Sequence, residues 1–229
     1  MSLIKTLLVL SLSIFVLFQP KSGNAQTLPT YHISVLVDMS GSMNVETSTG
    51  DERRIELAID LVASRLTHDF ALLDTFYYQI YTWNNNLHQR TVFSESIHSE
   101  EDAFIAESEI LRRQFIARSR TLTGRALRQF LEHNTDLYCS RHVLLIVTDD
   151  PPDDPDTFLN YLAKAREAGF SVGVLLIDGA SVYRAVRYFT SFEHLPHAVV
   201  RRELSEEALD DFIGEVLSES TLSTHCFSG

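Results

Sequence analysis

The chain has 229 residues, 45% of them hydrophobic and 22% charged, so it can bury a full core of its own and needs no stapling. Its formal net charge of -12 argues against nucleic acid and anionic membranes as partners. A solvated acidic surface or an affinity for cations accommodates that charge.

Residues 1–25 read as a signal peptide. Lys5 precedes the apolar run Leu7 to Phe18, and Gly23-Asn24-Ala25 ends in the small residues a signal peptidase accepts. The run is short for a bilayer span, no second apolar segment follows it, and an uncleaved anchor is the competing reading. Cleavage removes Lys5 and Lys21 and no acid, which takes the charge from -12 to -14. The mature chain then begins near Gln26 as a secreted, extracellular or periplasmic protein with no membrane insertion.

Ile33 to Val37 is a β-rich apolar run that predicts a buried strand. At its end stands Asp38-Met39-Ser40-Gly41-Ser42-Met43, in which an aspartate and two serine hydroxyls leave the strand together. Short side chains keep these oxygens near the backbone, and Gly41 permits a tight bend. Hard oxygen donors on a tight turn suit Mg²⁺, Mn²⁺ or Ca²⁺; the competing reading is a Ser/Asp turn that caps the following helix. The insertion Asn44 to Gly50 is polar and reads as a mobile loop. A helix is expected from about Asp51 to Leu66, with Ile55, Ala58, Ile59, Val62 and Leu66 on its apolar face.

Phe76 to Thr82 reads as a strand, Asn84-Asn85-Asn86 as a turn with Trp83 packed beside it, and His88 to Phe93 as an antiparallel edge strand. Helices are expected from Ser99 to about Ile116 and from Gly124 to His133. His142 to Thr148 has the continuous apolar centre of a strand buried on both faces, and Asp149 ends it. Asp154 with Pro155 signals a helix to about Ala168, which Gly169 stops. Val172 to Ile177 and His197 to Val200 read as strands. Ser181 to Phe189 reads as a helix whose stripe Tyr183, Arg184, Arg187 and Tyr188 faces solvent. Ser205 caps a last helix to about Leu217. Residues 26–220 thus form one domain, and 221–229 a Ser/Thr-rich tail.

This alternation predicts an α/β fold with a doubly wound, mostly parallel central sheet, one antiparallel edge strand and helices on both faces. Ligands of such sheets bind beyond the carboxyl ends of the strands, where both Asp38 and Asp149 fall. Cys139 and Cys226 lie at the two expected element ends on one rim, so an exported chain could bridge them. A bridge would stabilise by roughly 3–5 kcal/mol through loop closure, and two free thiols are the alternative.

Three elements in order, Asp38-Met39-Ser40-Gly41-Ser42, Thr121-Leu122-Thr123-Gly124-Arg125-Ala126-Leu127 and the strand-end Asp149, resemble the metal-ion-dependent adhesion site (MIDAS) of von Willebrand factor type A (vWA) domains. The resemblance covers roughly Tyr31 to Leu217, and Ala168-Gly169-Phe170-Ser171-Val172 resembles the junction before that family's fifth strand. It implies a vWA, Rossmann-like fold. It also implies a site for Mg²⁺, or Mn²⁺ or Ca²⁺, made by Asp38, Ser40, Ser42, Thr121 and Asp149. Ser40 and Ser42 would bind through their hydroxyls, Asp38 and Asp149 through water, and Thr121 directly or through water. Few charged ligands would then touch the ion, leaving room for an acidic side chain of a protein ligand. Where such domains usually have glycine after the last aspartate, this chain has Asp150, followed by Pro151-Pro152-Asp153-Asp154. Asp153 and Asp154 are expected to face solvent and cap the next helix.

The expected function is a metal-dependent protein-binding or adhesion module and not an enzyme. One alternative is a scaffold of the same fold whose contacts need no metal. The other is a phosphatase-like hydrolase of the haloacid dehalogenase type, which carries Asp-x-Asp where this chain has Asp38-x-Ser40 and so lacks the second carboxylate for acid/base work. There is no His-Glu-x-x-His, Gly-rich phosphate loop or Gly-x-Ser-x-Gly elbow.

Overall fold

In β1 (Thr30–Asp38), alternate side chains point to opposite sides of the sheet, so Ile33, Val35 and Val37 enter one core while Leu36 enters another. A strand that is apolar on both faces is stable only when covered on both, and this dictates the rest of the architecture. The computed structural model describes residues 30–66, 76–84, 87–93, 120–134, 140–179, 182–201 and 204–220. The leader, the helix expected over Ser99 to Ile116, both cysteines and the tail lie outside the described residues.

After β1 come a single 3₁₀ turn (Gly41–Asn44) and α1 (Arg54–Asp60), which continues as a wider π-type turn over Leu61–Arg65. β2 (Phe76–Trp83) and β3 (Leu87–Phe93) form the expected hairpin. Then follow α2 (Thr123–His133), β4 (Ser140–Thr148), α3 (Pro155–Glu167), β5 (Phe170–Ile177), α4 (Val182–Phe189), β6 (His197–Val200) and α5 (Glu206–Glu219). The sheet has six strands in the order β3-β2-β1-β4-β5-β6, all parallel except the β2–β3 edge pair. This is the doubly wound α/β sheet with an antiparallel edge that the sequence predicts.

The two cores divide as the alternation requires. α1 and α5 cover Ile33, Val35, Val37, Val143, Leu145, Val147, Leu175 and Ile177 on one face. On the other, α2, α3 and α4 cover Leu36, Leu144, Ile146, Val172, Val174 and Leu176. Trp83 is buried at 1% exposure at the end of β2, as expected of a packed tryptophan.

Several boundaries differ from the sequence reading. α1 starts at Arg54 and not near Asp51, because a closed turn takes up the preceding residues: Glu46 bridges to Arg53, and the Thr47 amide donates to the Glu52 carbonyl at 2.8 Å. The polar insertion expected to be a mobile loop is this turn. In the π-type turn the Tyr78 hydroxyl donates to the Val62 carbonyl at 2.8 Å, which ties α1 to β2. Gly169 stops α3 as expected, at a φ of +90°. Ser205 caps α5, accepting from the Ala208 amide at 3.2 Å. Of the α4 stripe, Tyr183 is exposed, but Tyr188 packs against Phe189 and Phe192.

Gly173 in β5 lets α5 sit directly on the sheet, since a Cβ there would lie 2.7 Å from Val216 Cγ2 and 2.8 Å from Phe212 Cζ. Gly173→Ala is therefore expected to lower stability by about 1–3 kcal/mol through overpacking. Equilibrium urea unfolding of the variant against the parent measures it.

Candidate metal site

The strand order reverses beside β1: β2 lies on one flank and β4, reached only after the next crossover, on the other. Loops leaving the carboxyl ends of β1 and β4 diverge to opposite faces of the sheet and open a crevice there. Asp38 is the last residue of β1, and Asp149 follows the last residue of β4. Both side chains are fully buried, and Ser40 is 1% exposed.

A chain of hydrogen bonds joins these residues. Asp38 Oδ1 accepts from the Ser40 amide at 2.7 Å, and its Oδ2 accepts from the Thr148 hydroxyl at 2.7 Å. Ser40 Oγ and Ser42 Oγ are 2.9 Å apart, and Ser42 Oγ donates to Asp149 Oδ1 at 2.8 Å. Since the Ser42 proton goes to Asp149, the Ser40 hydroxyl is the donor between the two serines. Ser40 occupies the N-cap position of the 3₁₀ turn, yet its side chain bonds to none of that turn's amides. In place of a cap, the Ser40 hydroxyl bonds to Ser42, which in turn bonds to Asp149.

Thr121, buried at 4% exposure, is held by its backbone: its amide donates to Asp153 Oδ2 at 3.0 Å, and its carbonyl accepts from the Asp153 amide at 2.8 Å. Asp154 adds to this clamp. Its two carboxylate oxygens accept from the amides of Gly124 at 2.9 Å and Arg125 at 2.7 Å. Asp153 is exposed as expected, but the expectation that the Asp154 side chain caps α3 is corrected. Asp154 stands at the N-cap of α3, but its side chain satisfies the first amides of α2, which would otherwise lack partners. Gly124 makes the approach possible, because a Cβ there would lie 2.3 Å from the Phe158 amide nitrogen of α3.

The sequence reading missed Arg54. This residue is 4% exposed, and its Nη1 bonds to Asp149 Oδ2 and to the Ser42 carbonyl at 3.3 Å. A signal existed: Arg54, Ala58 and Leu61 fall at i, i+4 and i+7, so the arginine extends the apolar face of α1 by one turn. Asp150, at the position where glycine was expected, pairs with Arg184 of α4 at 2.5 Å. Beside the site, the Ser48 hydroxyl donates to Asp178 at the end of β5. Thr47, Thr49, Glu52, Leu57 and Arg201 complete a cleft of about 290 Å³ there.

Burial pushes the Asp38 carboxyl up to about 7 from 3.8, and the nearby Asp149 charge adds to the rise; bonds from Thr148 and Ser40 oppose it. Such a carboxylate has unbalanced negative charge that a cation would relieve. The converging side-chain atoms are all oxygens except those of Arg54, and hard oxygens suit Mg²⁺, Mn²⁺ or Ca²⁺. Among the described residues no group of three or more His, Cys, Asp or Glu is placed to hold a metal, so any centre here depends on hydroxyls as well as carboxylates.

No protein-family profile matches the chain, and no curated protein matches it. Solved structures do. The manganese-loaded TRAP protein of Plasmodium vivax aligns at 15% identity and a TM-score of 0.57, over 81% of this chain and 74% of that one. A von Willebrand factor type A protein from Catenulispora acidiphila aligns at 15% identity and 0.54, over 84% and 43%. Proximal thread matrix protein 1 from the mussel byssus, solved with a zinc-occupied MIDAS motif, aligns at 13% and 0.56, over 82% and 45%. This chain spans less than half of the latter two. Its fold is that of von Willebrand factor type A domains.

Two outcomes follow from this geometry. The folded protein keeps a proton on Asp38 where the unfolded chain has lost it, so metal-free protein is expected to lose stability as pH rises from 3.8 to about 7 and to level off above. Melting temperature against pH, parent minus Asp38→Asn, isolates that slope. Asp154→Ala leaves two α2 amides unsatisfied and should cost about 1–2 kcal/mol in chemical denaturation.

Proposed function

We propose that the chain is an exported, divalent-metal-dependent protein-binding module of the adhesion type, with residues 26–220 as the binding domain after a leader at 1–25 and before a tail at 221–229. The observation that carries this reading is the meeting of Asp38, Ser40, Ser42 and Asp149 in one hydrogen-bonded cluster at the switch point of the sheet. Support comes from the fold shared with a manganese-loaded protein and with one whose MIDAS motif holds zinc. Among the described residues, no helix is long and apolar enough to cross a membrane.

In this reading Ser40 and Ser42 bind Mg²⁺ or Mn²⁺ through their hydroxyls. Asp38 and Asp149 act through water, and Thr121 contributes from the clamped loop. The ion supplies Lewis acidity toward an acidic side chain of the partner. The protein's own residues do the rest: Thr148 and the Ser40 amide aim the Asp38 carboxylate, and the Asp153–Asp154 loop holds Thr121 in place. A bridge between Cys139 and Cys226 belongs to the same proposal of export.

The Arg54–Asp149 ion pair favours a second reading, a scaffold of this fold that needs no metal, because the guanidinium already gives Asp149 a cation. The ion decides between them. Under the first reading, Mg²⁺ or Mn²⁺ at a hundredfold excess over its Kd stabilises by about 2.7 kcal/mol, a rise of several degrees in melting temperature that EDTA reverses. Ser40→Ala and Ser42→Ala should each lose most of that rise. Equal melting with and without ion in the parent supports the scaffold.

A further inference from the structure

Arg54 stands out among the buried charged groups because it is a cation in direct contact with the candidate site. It bridges two segments that carry site residues, bonding to the Ser42 carbonyl and to the Asp149 carboxylate. Its Nε is buried and has no hydrogen-bond partner, so the guanidinium is not held by a full set of acceptors. Burying such a group is costly unless its geometry and partners offset this. Gly179, just beyond β5, packs against it. A Cβ on Gly179 would lie 2.0 Å from Arg54 Nε and 2.3 Å from Cζ, so only glycine leaves room for the arginine.

We propose that Arg54 is a resident cation that makes the site hold a divalent ion weakly alone and firmly together with an external carboxylate. The inference rests on the metal-site reading above and adds a residue that selects for the ion and its acidic ligand jointly. Its basis is the charge balance of Asp38, Asp149 and Arg54; the neighbouring buried Asp178 is paired separately with Arg201. With both carboxylates ionised, Asp38 and Asp149 oppose one guanidinium, and the cluster has a single net negative charge. A divalent ion turns that into a single net positive charge in a largely buried site, where uncompensated charge is costly. An incoming carboxylate restores neutrality. Without Arg54, the two aspartates would neutralise the ion by themselves, and the external anion would gain little. The ion and the anion therefore favour each other's binding, and the coupling is reciprocal.

Mn²⁺ binding to the full chain, followed by electron paramagnetic resonance of the free ion at pH 8 with and without acetate, tests this. The parent is expected to bind Mn²⁺ weakly and to tighten severalfold when acetate is added. Arg54→Met should bind Mn²⁺ roughly tenfold or more tightly without acetate and lose the acetate effect. Gly179→Ala keeps the arginine but displaces its guanidinium, and it should shift in the same direction; it decides the matter if Arg54→Met does not fold, as thermal melts will show. Folded variants with the parent's Mn²⁺ affinity and acetate dependence overturn the proposal and reduce Arg54 to a packing role. Absence of Mn²⁺ binding in parent and variants alike overturns the metal-site reading, and this proposal with it.

Discussion

Two buried carboxylates, Asp38 and Asp149, are brought side by side, and much of the surrounding structure is arranged to tolerate that. Each is the end product of a strand buried on both faces. The strands cannot be tilted or shifted without moving residues such as Val37 and Val147 out of the core. The negative charge is therefore imposed by the fold, and neighbouring groups relieve it: the Thr148 hydroxyl and Ser40 amide at Asp38, the Ser42 hydroxyl and Arg54 guanidinium at Asp149. Hydrogen bonds to an ionised carboxylate are among the stronger ones available to a side chain. Even so, Asp38 is left with a raised affinity for protons, and a site that favours a proton over bare charge has use for a cation.

The electrostatics extend outward in a graded way. Asp149 is wholly buried and paired with a buried arginine, whereas Asp150 is partly exposed and paired with Arg184, which is largely in solvent. Burial also raises the Asp150 pKa, and the Arg184 bond opposes that rise. The outer pair is screened by water and salt and contributes little to stability. Its consequence lies in the surface presented at the rim, where an arginine neutralises the acid that replaces the expected glycine.

Most of the architecture was legible in the sequence because period-2 and continuous apolar patterns mark strands and Gly169, Pro155 and Ser205 mark helix ends. The end of β1 was legible too, since Asp38, Ser40 and Ser42 are close in sequence and their spacing already brings their oxygens together. What was hidden depends on contacts between distant segments. Arg54 lies 95 residues from Asp149, and only the parallel register of β1 with β4 brings them into contact. Asp154 looked like a cap for its own helix because local pattern cannot show that the first turn of α2 packs against it. The late start of α1 has the same origin: the Glu46–Arg53 bridge competes for residues whose helical propensity is adequate.

The four hydrogen bonds that join Thr121, Gly124 and Arg125 to Asp153 and Asp154 have a mechanical consequence. They make the loop before α2 and the loop before α3 a single part, with Gly124 seated against the α3 backbone. α3 has 13 residues and reaches about 20 Å away from that joint. Any movement of the first turn of α3 therefore carries the Thr121 loop with it, because the joint leaves the two segments no independent motion.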